Sequence, residues 1–123
     1  MQTIIFIASS NRDLRSFPDD VRRVMGFALY EAERGAKHPA AKPLRGFHGA
    51  GVLEIVDDHD GDTYRVVYTV RFGDELYVLH AFQKKAKTGS ATPQQDMSLI
   101  RRRLALAERL HVERTRGGRG ETK

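Results

Sequence analysis

Apolar and polar positions alternate most densely between Tyr64 and Phe82. Tyr64, Val66, Tyr68, Val70 and Phe72 alternate with Arg65, Val67, Thr69 and Arg71, and β-branched or aromatic residues occupy both sets, as in a strand covered on both faces. Gly73-Asp74 tolerates positive φ and predicts a tight reversal. The chain then runs back, with Leu76, Val78, His80 and Phe82 expected on one face and Tyr77, Leu79, Ala81 and Gln83 on the other. Lys84, Lys85 and Lys87 follow at the exit.

The remaining elements follow from the same patterns. Thr3 to Ala8 is a short isoleucine-rich run that suits a buried strand, and Ser9 to Ser16 is a polar turn or brief helix. Ser16-Phe17-Pro18-Asp19 reads as a helix start with Ser16 as cap, and Val21, Val24, Met25, Ala28, Leu29 and Ala32 then form one helical stripe that ends at Gly35. Lys37 to Gly51 is a connector broken by proline and glycine, carrying Lys42, Arg45 and His48. Val52 to Val56 is a strand, joined to the Tyr64 strand by an Asp/Gly-rich turn over Asp57 to Asp62. Thr92-Pro93-Gln94-Gln95 opens a second long helix with Met97, Ile100, Leu104 and Ala107 on its apolar stripe and Arg101, Arg102 and Arg103 beyond it. From Val112 the apolar period ends, which predicts one domain over 1–111 and a basic, disordered tail over 112–123.

One strand, one helix, three consecutive strands and one helix make the class α+β, with a small antiparallel meander packed against an N-terminal and a C-terminal helix. No apolar run approaches the roughly 20 residues of a membrane span, and no signal sequence is evident, so a cytoplasmic protein is expected. Absence of cysteine removes disulfides, thiolate nucleophiles and thiolate metal sites. The acidic turn lacks the flanking helices and closing glutamate of a calcium loop, so no metal and no cofactor are assigned. Lys and Arg total 21 against 16 Asp and Glu, a net charge of +5 that favours an anionic partner, nucleic acid first.

Arginine grips phosphate bidentately, lysine acts as a point charge, and aromatic rings stack on unpaired bases. Arg65 and Arg71 are expected on one strand face, with Lys84, Lys85 and Lys87 at the end of the next strand and Lys42 and Arg45 brought alongside by the connector. RNA cleavage by internal transfer needs a base, charge stabilisation at phosphorus, and an acid. His80, Tyr77 or a lysine could move the protons, and the residues alone do not choose among them. Each candidate has a structural reading as well: Arg65 as an ion-pair partner of the Asp57–Asp62 turn, His80 as a hydrogen-bonded core histidine, and Tyr68 and Phe82 as core.

Arg65-Val66-Val67-Tyr68, then Tyr77 to Lys85, then Thr92-Pro93 opening a helix, together with Pro43 to Gly46 and Leu53 to Ile55, resemble the phage-derived, HigB-like branch of the RelE/ParE toxin superfamily. The resemblance implies a RelE-like fold and a toxin of a type II toxin–antitoxin system that cleaves mRNA on the ribosome without metal. Its expected partners are a helix-turn-helix antitoxin, mRNA and the ribosome. It assigns Arg65 to the scissile phosphate, Lys84, Lys85 and Lys87 to phosphate or transition-state charge, and His80 and Tyr77 to proton transfer or stacking. Lys42, Arg45, Arg71, Lys87 and Arg101 make up the expected RNA-binding set. Some HigB-type enzymes carry an Asp/Tyr/His set near the C-terminus, where this chain has a helix and basic residues instead. A ParE-like gyrase inhibitor and a non-catalytic antitoxin-binding module are the alternative readings.

Overall fold

The computed structural model describes residues 2–47, 49–84 and 92–121, with side chains described up to 116. The elements are β1 (Thr3–Phe6), α1 (Ser10–Arg15), α2 (Asp19–Glu33), β2 (Ala41–Pro43), β3 (Val52–His59), β4 (Asp62–Thr69), β5 (Glu75–Lys84) and α3 (Gln94–Glu121). The sheet is five-stranded in the order β1-β5-β4-β3-β2. Strands β2 to β5 form the expected antiparallel meander, while β1 adds to the edge parallel to β5, pairing Thr3 with Glu75 and Phe6 with Val78. The sheet is therefore mixed. The β3–β4 turn has only Asp60 and Gly61 between paired His59 and Asp62, both at positive φ (51° and 85°), the backbone that matches strand twist.

Helices cover both faces, which is why β4 and β5 are apolar on both sides. Val21, Met25, Ala28 and Leu29 of α2 pack on Ile55, Val66, Tyr68 and Val78. Ile100 and Ala107 of α3 pack on Val67, Tyr77 and Leu79 from the other side. Each such side chain removed from water is worth about 1.5–3 kcal/mol.

Several local expectations change. Ser16 does not cap α2; its hydroxyl donates to the Asp13 carbonyl at 2.7 Å and closes α1, leaving Pro18 as the residue before α2. The broken connector still contributes β2, because Ala41, Lys42 and Pro43 find partners on β3. Strand β4 stops at Thr69, whose buried hydroxyl accepts the Tyr77 N–H at 3.1 Å. Beyond it Phe72 joins the α3-side core although Tyr68 faces α2, so the alternation breaks and Arg71 no longer shares a strand face with Arg65. In β5 an extra residue intervenes: Val67 pairs with His80 but Tyr68 pairs with Val78, a bulge that skips Leu79. Leu76, Val78 and Ala81 consequently face α2, whereas Tyr77, Leu79, His80 and Phe82 lie on the α3 side. Helix α3 continues past Val112 to Glu121, so no element ends at the expected boundary after residue 111. Among the described residues no helix is long and apolar enough to cross a membrane.

Candidate active-site cleft

On the α3 face, between the β2 edge and the start of α3, lies a cleft of ≈ 390 Å³ lined by Lys42, Arg45, Glu54, Thr92 and Met97 among others. Sheet register builds it. Lys42 stands opposite Glu54 across β2–β3, and Glu54 is a diagonal neighbour of Arg65 across β3–β4, since Val67 pairs with Glu54 and Val56 with Arg65. Arg65 Nη1 donates to Glu54 Oε1 at 3.2 Å and to Thr92 Oγ1 at 3.2 Å. Both members of the ion pair are buried, Glu54 at 5% and Arg65 at 3% exposure. Arg65 Nε has no acceptor among the described residues.

Arg65 is thus an ion-pair partner, as one sequence reading had it, but of Glu54 in the neighbouring strand and not of the acidic turn. Burial raises the Glu54 carboxyl above its ordinary range, and this outweighs the opposing pull of Arg65 and Lys42. A carboxylate tuned upward beside cations in a cleft is a better proton acceptor than an ordinary one. Sequence reasoning passed over Glu54. The available signal was a pair of opposite charges, Glu54 and Arg65, each inside an otherwise apolar strand, where burial demands a partner.

The other candidates divide between this cleft and two further clusters. Lys42 and Arg45 line the cleft together, whereas Arg101 is not in its lining but lies 5.5 Å over the Phe47 ring and beside the lining residue Gly46. Arg71 occupies an adjoining cleft that shares Pro43, Leu44 and Arg45 with the first. Lys84 ends β5 opposite Thr63, two positions beyond Phe82, the residue facing Arg65. Lys85 and Lys87 lie outside the described residues.

His80 packs as a core histidine. Its Nε2 is 2.7 Å from Asp96 Oδ1, its ring stacks on Phe82 at 4.6 Å, and its buried Nδ1 has no partner among the described residues. Burial lowers the His80 pKa despite Asp96, which keeps the ring neutral with Nε2–H donating to the carboxylate. Nearby, Arg103 turns inward and donates to the Leu79 carbonyl at 2.9 Å and to Ser9 Oγ at 3.2 Å, so it docks α3 and is not a surface cation.

Tyr77 belongs to the far end of the sheet. Its hydroxyl donates to Glu75, which also binds His111 Nδ1 at 3.0 Å and Arg114 Nε. Burial and the adjacent Glu75 carboxylate raise the phenol strongly. At about 3.3 Å per residue, Tyr77 is roughly 16 Å along β5 from Phe82, the partner of Arg65. His80 and Tyr77 therefore do not line the cleft, and each has a docking role that anchors α3.

No curated protein matches this chain. Among solved structures, the isolated Escherichia coli RelE toxin superposes with a TM-score of 0.52 at 22% identity, covering 85% of this chain and 99% of that one. The family model described as "Phage derived protein Gp49-like (DUF891)" matches residues 12–105, a span that includes every described residue of the cleft. On this evidence the chain belongs to the phage-derived Gp49-like family, and the fold it carries is that of RelE.

Proposed function

We propose that this protein is the toxin of a toxin–antitoxin pair and that it acts as an endoribonuclease on ribosome-bound mRNA, with the Lys42–Glu54–Arg65 cleft as its centre. Family and fold support the toxin reading. The observation that carries the chemistry is a carboxylate, Glu54, that lines a cleft edged by Lys42 and Arg45 and is paired from behind with the buried Arg65 guanidinium.

In this reading the phosphate next to the cut is held by Lys42 and Arg45. Glu54 accepts the proton of the 2′-hydroxyl, the 2′-oxygen bonds to phosphorus, and the bond to the 5′-oxygen breaks. That oxygen takes a proton from the Lys42 ammonium, leaving a cyclic phosphate and a 5′-hydroxyl. Arg65 positions Glu54 and contributes charge at the right moment. While Glu54 is ionised the pair is neutral; once Glu54 takes the proton, the buried guanidinium behind it is uncompensated and adds positive potential to the cleft as the pentacoordinate phosphorus forms. A well-placed donor of this kind contributes roughly 3 kcal/mol, and proton transfer about 10²–10⁴-fold. A helix-turn-helix antitoxin would hold the toxin inactive.

Expression of the chain without a partner tests the proposal, with growth, translation and mRNA 5′ ends followed together. Wild type arrests growth and breaks transcripts, while Glu54→Gln, nearly isosteric and still able to accept from Arg65, leaves them whole. Arrest with intact mRNA and damaged DNA would move the protein to the gyrase-inhibitor class. Harmless expression would leave only a binding module.

A further inference from the structure

We infer that the second cleft, separated from the first by Pro43–Arg45, holds an unpaired nucleobase of the RNA and gives the enzyme a sequence preference at one nucleotide beside the cut. The inference rests on the ribonuclease reading above and adds a specificity site to it. This second cleft measures ≈ 410 Å³, within the range of about 300–1,000 Å³ that holds small ligands. Its walls are apolar, from Leu44, Phe47, Leu53 and Val70, and Arg45 and Arg71 supply its charge. Among the described residues no carboxylate lines it. Val70, just past the buried end of β4, is 40% exposed and so accessible from the cleft it lines. A flat apolar wall with a guanidinium beside it suits the face of a base, because stacking on such surfaces tolerates every base and the guanidinium edge can discriminate among them.

Arg71 is seated for this work. Gly51 has φ +71°, and a Cβ built on it would come within 2.4 Å of Arg71 Cγ and 2.7 Å of Cδ, so the arginine stem lies directly on bare glycine backbone. The Gly51 carbonyl also accepts the Val70 N–H at 2.9 Å, which fixes Val70 and Arg71 as one unit against that turn. Arg71 has no carboxylate partner among the described residues, so its charge is not already spent within the protein. Arg45 lines both clefts and is placed to hold the phosphate linking the nucleotide being cut to its neighbour.

The test is 5′-end mapping of cleaved transcripts in cells expressing wild type, Arg71→Ala, Arg71→Lys or Val70→Ala, with circular dichroism to check folding. Wild type should favour particular bases at one position flanking the cut. Arg71→Ala should keep cutting but lose roughly tenfold or more of that discrimination, with Val70→Ala shifting the same position. Arg71→Lys, which keeps the stem on Gly51 but not the planar guanidinium, should also relax it. A uniform fall in cutting at all sites would reduce Arg71 to a phosphate contact and overturn the inference, as would an unchanged pattern or a wild type with no flanking preference. These outcomes leave the nuclease reading standing. Transcripts left whole by wild type would overturn the nuclease reading and this inference together.

Discussion

At the scale of single residues, the Glu54–Arg65 pair decides how mutants are to be read. Removing one member of a buried ion pair strands the other charge, so Arg65→Ala should cost about 3–5 kcal/mol and lower the melting temperature. Loss of cleavage in that variant alone therefore says little about contact with RNA; Glu54→Gln also strands the Arg65 charge but keeps an acceptor for it, so it should melt lower than wild type yet stay folded by circular dichroism at the assay temperature while cleavage is lost. The raised Glu54 pKa also fixes a sign. Its contribution to stability is full below the ordinary 4.5 and is lost as pH rises through the raised folded value. Proton acceptance needs the ionised form, so the cleavage rate should climb through that same window while stability declines. A rate flat across it, measured at saturating substrate, would remove Glu54 from the proton path. Arg65 was legible in the sequence as a charge in an apolar strand. Its partner was not read, because a local pattern does not say which of several carboxylates a fold brings opposite.

Among the elements, α3 closes one side of the site, and it is pinned at separate points. His80–Asp96 and Arg65–Thr92 hold its start, and Glu75 holds His111 and Arg114 further along. Burial alone would raise Glu75, but hydrogen bonds from Tyr77, His111 and Arg114 bring it down to about 2. That stabilisation is present above the ordinary 4.5 and is lost as pH falls through about 2. Glu75→Gln should therefore speed hydrogen exchange in the second half of α3, leave the residues around Ile100 protected, and blunt the loss of stability on acidification. Equal exchange in variant and wild type would show that the clamp carries no load. The helix periods, the Asp60-Gly61 turn and the meander were all readable from residue spacing. The bulge at Leu79–His80 was not, since a period-two pattern carries no mark of one extra residue. That single residue moved His80 onto the α3 face and into contact with Asp96. Tyr77 lies away from Arg65 for a simpler reason: the strand is long, and sharing neighbouring strands does not make the two residues neighbours.

For the whole molecule, the question is where the +5 charge acts. On α2, across the sheet from the cleft, Arg22 and Arg23 are paired with Asp19 and Asp20 of their own helix turn. Lys42 and Arg45 instead line the cleft around a carboxylate already occupied by Arg65. Sequence reading recovered the RelE-like architecture and the basic connector; it could not tell neutralised cations from available ones, because ion pairs are made by the fold. The most direct measurement compares two variants of equal charge, Lys42→Ala/Arg45→Ala and Arg22→Ala/Arg23→Ala, in a purified translation system, reading the 5′ ends of ribosome-bound mRNA. The first pair should lose cleavage by a hundredfold or more if each cation supplies about 1.4 kcal/mol or more to the transition state, and the second should cut like wild type. Equal cleavage by both variants, or equal loss in both, would contradict the assignment of catalysis to this cleft.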